Sequence, residues 1–127
     1  MSIRLWLDDV RDAPEGWVRC YWPDEVIAFL QEGDVAEISL DHDLGDIPAG
    51  YCEAERTGMM VLHALEKMQF NNPDLVLPII HVHSANVVAA KRMKEVIRLL
   101  ESRAHARHVQ RQQEHDNGKE GGSNEQR

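Results

Sequence analysis

The stretch that most constrains this chain is Ser39-Leu40-Asp41-His42-Asp43-Leu44-Gly45-Asp46. An apolar run, Val35-Ala36-Glu37-Ile38-Ser39-Leu40, leads into it and reads as a buried strand. The strand then stops on three acids and a histidine, closed by a glycine. Two other runs end in a similar way. Arg4-Leu5-Trp6-Leu7 passes into Asp8-Asp9, and Leu77-Pro78-Ile79-Ile80-His81-Val82 passes into His83-Ser84-Ala85-Asn86. Open parallel α/β sheets bind ligands outside the carboxyl ends of their strands. If the three strands are parallel neighbours, one edge collects Asp8, Asp9, Asp41, His42, Asp43, His83, Ser84 and Asn86.

The rest of the chain supplies the elements such a sheet needs. Residues 3–7 read as strand one and 17–22 as strand two. Pro23-Asp24 opens a helix, with Asp24 as its cap or first-turn acid; Val26, Ile27 and Leu30 form its apolar stripe and Gly33 ends it. Residues 45–57 form a long polar loop, expected to act as a lid or rim. Thr57 is placed to cap a second helix, whose stripe is Val61, Leu62, Leu65 and Met68. Residues 76–83 read as strand four. Asn86 caps a third helix with the stripe Met93, Val96, Ile97 and Leu100, expected to run on, charged and exposed, to about residue 113. From Glu114 the composition predicts disorder.

Strands alternating with helices predict an α/β fold with a mostly parallel open sheet of about four strands and three helices. Residues 1–101 form the folded domain, and 102–127 form a charged helical extension and tail. The eight or nine residues between strands one and two are too few for a helical crossover, so the placement of strand two is left open.

Charge narrows the partners. Residues 1–101 hold 18 acids against 9 Lys and Arg, whereas 102–127 hold 4 against 5. An acidic domain is a poor match for long duplex nucleic acid, which demands a basic surface. A small nucleotide or a terminal phosphate needs only a local site and stays open. No apolar run approaches a membrane span, and no signal-like leader is seen, so no membrane partner and a cytoplasmic location are expected. Cys20 and Cys52 read as free thiols.

The edge residues suggest specific chemistry. Asp8, Asp9, Asp41 and Asp43 can converge on a hard divalent cation, Mg²⁺ or Mn²⁺, held by carboxylates, water and a phosphate oxygen; capping of loops and helix termini is the alternative for each alone. His42 and His83 can work across a phosphate as a base and acid pair, since imidazole titrates near neutrality. Ordinary structural hydrogen bonding, or ligation of a transition metal with a carboxylate, are their alternatives. His81 alternates with His83 and could pair with it on a metal. His63 reads as structural, and His105, His108 and His115 as solvated. Ser84, Asn86 and the free amides of the following helix can hold a phosphate, and Asn86 can also cap that helix. Arg11 can grip a phosphate bidentately, or pair with Asp12 or Glu15.

Asp8-Asp9, Asp41 and Ser84 after successive strands resemble the receiver domains of two-component response regulators. There the acids bind Mg²⁺, the middle Asp accepts a phosphoryl group, and the Ser/Thr position reads it. The chain departs from them in having no fifth strand with its lysine, and no helix between strands one and two. It more closely resembles the cyclic-phosphate processing receiver domain family. That pattern is carried by Leu5-Trp6-Leu7-Asp8-Asp9-Val10-Arg11-Asp12-Ala13-Pro14, Ser39-Leu40-Asp41-His42-Asp43-Leu44-Gly45, Thr57-Gly58 and His83-Ser84-Ala85-Asn86, over roughly residues 3–100. Val87 stands where that pattern has proline. The resemblance implies a truncated receiver-like (flavodoxin-like) fold and a phosphoesterase acting on a cyclic phosphate. On that reading His42, His83 and Asp41 are catalytic, and Ser84, Asn86 and Arg11 bind phosphate. The substrate would be a cyclic nucleotide or the terminal cyclic phosphate of RNA. The alternative is a non-enzymatic receiver-like signalling or nucleotide-binding module.

Overall fold

The computed structural model describes residues 2–43 and 57–123, with residues 115–123 as backbone alone. Its elements run β1 (Ile3–Leu7), β2 (Val18–Cys20), α1 (Pro23–Glu32), β3 (Val35–Leu40), α2 (Met59–Asn71), β4 (Ile79–Val82) and α3 (Val87–Ser123). The four strands form one sheet in the order β2-β1-β3-β4, and every pairing is parallel. The expected α/β, receiver-like fold is therefore present, and the acid-tipped strands β1 and β3 are adjacent, with β4 and its His83-Ser84 tip beside β3.

Strand two finds its place at the edge. It pairs parallel with β1, Leu5 opposite Val18 and Leu7 opposite Cys20, with no helix between the two strands. A short turn suffices because β2 contributes only three residues and its loop folds back on itself. The Trp17 amide bonds to the Pro14 carbonyl, and the Asp8 amide bonds to the Cys20 carbonyl.

The core lies on one face of the sheet. Leu5, Leu7, Ile38, Leu40 and Ile80 alternate along their strands toward Val26, Leu62, Leu65, Met93 and Leu100 of the helices. The helices form a row: α1 packs on β1 and β2, α2 lies between α1 and α3, and α3 packs on β4. The opposite face carries Arg4 and Trp6 of β1, Glu37 and Ser39 of β3, and His81 of β4 in register. No helix covers that face among the described residues.

Several boundaries differ from the sequence reading. Strand four starts at Ile79 rather than residue 76, since Pro78 has no amide to give a ladder. Strand two shortens to three residues, bounded by the Trp17 turn and by Pro23 opening α1. Asp24 is a first-turn acid and Trp22 holds the cap position; Glu25 reaches back to the amides of Tyr21 and Trp22. Thr57 does not cap α2, because Gly58 takes that position without a side-chain bond. Gly33 ends α1 at φ 91°, and Asn86 caps α3 through its Oδ1 on the Ala89 amide, 3.0 Å away. Helix α3 continues to Ser123 rather than ending near residue 113, over a Glu-, Gln- and Arg-rich stretch that no proline interrupts. Arg107 and Arg111 tie it to Asp74. The expected rim loop, apart from Thr57, and Cys52 lie outside the described residues. Cys20 is buried and free, and burial with the nearby Glu25 charge pushes its thiol up to about 12.

Candidate metal and phosphate site

Strand β1 ends on Asp8, which is 1% exposed. Its Oδ1 accepts the amides of Val10 (2.8 Å) and Arg11 (2.9 Å), folding the chain into a tight turn as the strand stops. Its Oδ2 faces His83 Nε2 at 3.1 Å. Burial pushes the Asp8 carboxyl up, but the two amides and His83 outweigh it and hold it below its ordinary value.

Strand β3 ends on Asp41, locked into the sheet by its amide on the Leu7 carbonyl. Its Oδ1 accepts the His42 amide at 2.8 Å. Burial and the charge of Asp8 push its carboxyl up, against the His42 amide, His83 and the Ser84 hydroxyl. Gly58 closes the site from α2. A Cβ there would collide with the Asp41 carbonyl oxygen, and the Gly58 amide reaches the His42 carbonyl. The Thr57-Gly58 pair thus has a steric reason: only glycine lets α2 start against the tip of β3.

Asp8, Asp9 and Asp41 each present a ligand atom within 4.8 Å of the others. Burial and then the Asp8 charge raise Asp41, and a hard divalent cation would relieve the repulsion between the carboxylates. The donor set fits such an ion. Asp43, expected to join them, is outside this triad. Its Oδ1 takes the Nδ1 of His42 at 2.7 Å, its Oδ2 takes the Asn86 amide at 3.3 Å, and its backbone bridges Thr57. The bond from His42 and then that from Asn86 hold its carboxyl below the ordinary range against burial.

The two histidines are held differently. His42 Nε2 has no partner among the described residues, while a carboxylate fixes its other nitrogen. Both nitrogens of His83 are engaged, Nε2 by Asp8 and Nδ1 by Ser39 Oγ at 2.7 Å. Its ring also lies flat on Trp6, with centroids 3.8 Å apart and planes 4° apart. Burial lowers the His83 pKa, although the charges of Asp8 and Asp41 pull the other way. A neutral ring with its proton on Nε2 satisfies both neighbours: it donates to Asp8 and accepts from the Ser39 hydroxyl.

Ser84 accepts the Asn86 amide at 3.1 Å and bonds to Asp41. Arg11 pairs with neither Asp12 nor Glu15; its Nη1 donates to the His83 carbonyl at 2.9 Å, and Asp12 pairs with Arg19 instead. His81 does not join His83 on a common ligand; it pairs with Glu37 at 2.8 Å. His63 is exposed on α2 rather than built into the core. Ser39 and Trp6 were not singled out as site residues. The signal in the sequence is a hydroxyl between Ile38 and Leu40; the structure buries it to 4% exposure, where it requires a partner.

A parallel sheet with an acid triad at its carboxyl edge and a serine-tipped neighbouring strand is a receiver-like arrangement. The chain matches the family described as the cyclic-phosphate processing receiver domain over residues 3–99. It belongs to that family. None of the curated proteins and none of the solved structures compared with it matches.

Proposed function

We propose that this domain is a phosphoesterase that opens a cyclic phosphate on a small nucleotide or an RNA end. The observation that carries this reading is the His42–Asp43 pair beside the acid triad. A carboxylate on Nδ1 fixes the tautomer and stabilises the imidazolium that forms when Nε2 takes a proton. Nε2, without a partner among the described residues, is thus the group suited to take a proton from water and return it to the leaving oxygen. Asn86 supports the pair by donating to the second oxygen of Asp43.

Asp8, Asp9 and Asp41 are the residues that would hold a divalent cation, Mg²⁺ or Mn²⁺, which supplies Lewis-acid polarisation of a phosphoryl oxygen. Ser84, the first amides of α3 and the remaining donors of Arg11 offer hydrogen bonds to phosphate. His83 takes a different part from His42. With both nitrogens committed, it orients Asp8 rather than exchanging protons with substrate.

The test follows ³¹P NMR of the protein with 2′,3′-cyclic and 3′,5′-cyclic nucleotides, with Mg²⁺, with Mn²⁺ and with EDTA. A phosphomonoester signal that requires the cation and disappears in His42→Gln supports the reading. Full turnover in His42→Gln would sink the proton-transfer role. A stable acyl-phosphate on Asp41 after treatment with acetyl phosphate, without turnover of any cyclic nucleotide, would favour a signalling receiver instead.

A further inference from the structure

We infer that the helix-free face of the sheet is a stacking platform for the unpaired bases of a single-stranded nucleic acid whose terminal phosphate enters the acid pocket. This inference rests on the proposed function and names the substrate class for it. Trp17 lies edge-on to Trp6, with centroids 6.0 Å apart, and edge-on to His81 at 6.4 Å. The Arg4 guanidinium sits over Trp17 at 5.6 Å, and that of Arg19 over Tyr21 at 4.5 Å. Arg4 is exposed, and Tyr21 is 47% exposed. Aromatic rings and guanidinium planes on an open sheet are the surfaces on which unpaired bases stack.

Two features choose a nucleic acid over another occupant. The first is continuity. Trp6 on this face is stacked directly on His83, which touches Asp8, so the platform begins where the phosphate site ends. The second is charge. Arg19 pairs with Asp12 and Glu37 with His81, so Arg4 is the cation this face leaves without an ion pair among the described residues. A second copy of this chain docking through the same face would bring the same arginine against it, and so would not complement the face. Binding dominated by stacking, with few phosphate contacts, also suits an acidic domain that cannot hold a duplex.

The experiment titrates the full chain in Mg²⁺ with inorganic phosphate and with a tetraribonucleotide bearing a 3′-terminal phosphate, a probe that has no cyclic phosphate to open. The readouts are calorimetry and tryptophan fluorescence. The tetranucleotide should bind at least about ten-fold more tightly than phosphate, with quenching. Trp17→Leu should remove that gain and leave phosphate affinity unchanged. If Trp17→Leu fails to fold by circular dichroism, Arg4→Gln and Tyr21→Leu carry the test, with smaller losses of the same kind. Equal affinity for both probes overturns the platform while leaving the pocket reading intact. Binding of neither probe removes both. A concentration-dependent dimer that Trp17→Leu converts to monomer would make the face a protein interface and also overturn the inference.

Discussion

Ser39 and Leu40 are neighbours on β3 and face opposite ways. Leu40 is fully buried among the helices. Ser39 is nearly as buried, yet its hydroxyl serves a histidine at the site. The same alternation runs through β1, where Leu5 and Leu7 enter the core while Arg4 and Trp6 lie on the helix-free face. One face of the sheet holds the fold together; the other, with the strand tips, carries the candidate site. Because the strand period is two, both jobs fit in six residues of β3 without competing for a position.

Substitutions can break that division or sharpen it. The largest effect is expected from Leu40→Ala, which empties a packed site and should lower unfolding free energy by about 2–5 kcal/mol in urea titration. Gly58→Ala should follow, at about 1–3 kcal/mol, because backbone must move to admit the methyl group. It should also weaken Mg²⁺ binding, read by calorimetry, since the displaced carbonyl belongs to Asp41. Ser39→Ala should lower stability by only about 1 kcal/mol. Its signature is instead in ¹⁵N NMR, where His83 should lose its single fixed tautomer.

Asp41→Asn should act in the opposite direction. Burial and the charge of Asp8 raise the folded pKa of Asp41, so its ionised form weakens the metal-free fold, and that penalty is relieved as pH falls through the raised pKa. The asparagine variant should therefore be more stable than the parent at neutral pH, by up to about 1 kcal/mol. The advantage should shrink toward acid pH, where Asp41 is protonated. Removing the Asp41 charge also eases ionisation of Asp8, since the repulsion between the two carboxylates is mutual. Mg²⁺ should raise the thermal midpoint of the parent alone, and an equal rise in the variant would exclude Asp41 as a ligand.

Much of this was legible in the chain itself. Apolar runs ending in Asp8-Asp9, Asp41 and His83-Ser84 marked three strands with a shared functional edge, since buried strands do not otherwise finish on acids. The helical stripes, the Gly33 stop and the Asn86 cap were readable because each rests on local periodicity or local backbone chemistry. The parallel pairing of β2 was not readable, because strand pairing is a long-range choice that residues 8–17 do not encode. Nor was the division of labour among the acids and histidines. Asp43 and Asp41 are separated by one residue, yet one turns to His42 and Asn86 while the other faces Asp8. Sequence by itself determined which residue types would gather at the strand tips. Tertiary structure alone decided that His83 is clamped between Asp8 and Ser39 while His42 Nε2 has no partner among the described residues, because hydrogen-bond partners 44 and 75 residues apart meet only when the sheet assembles.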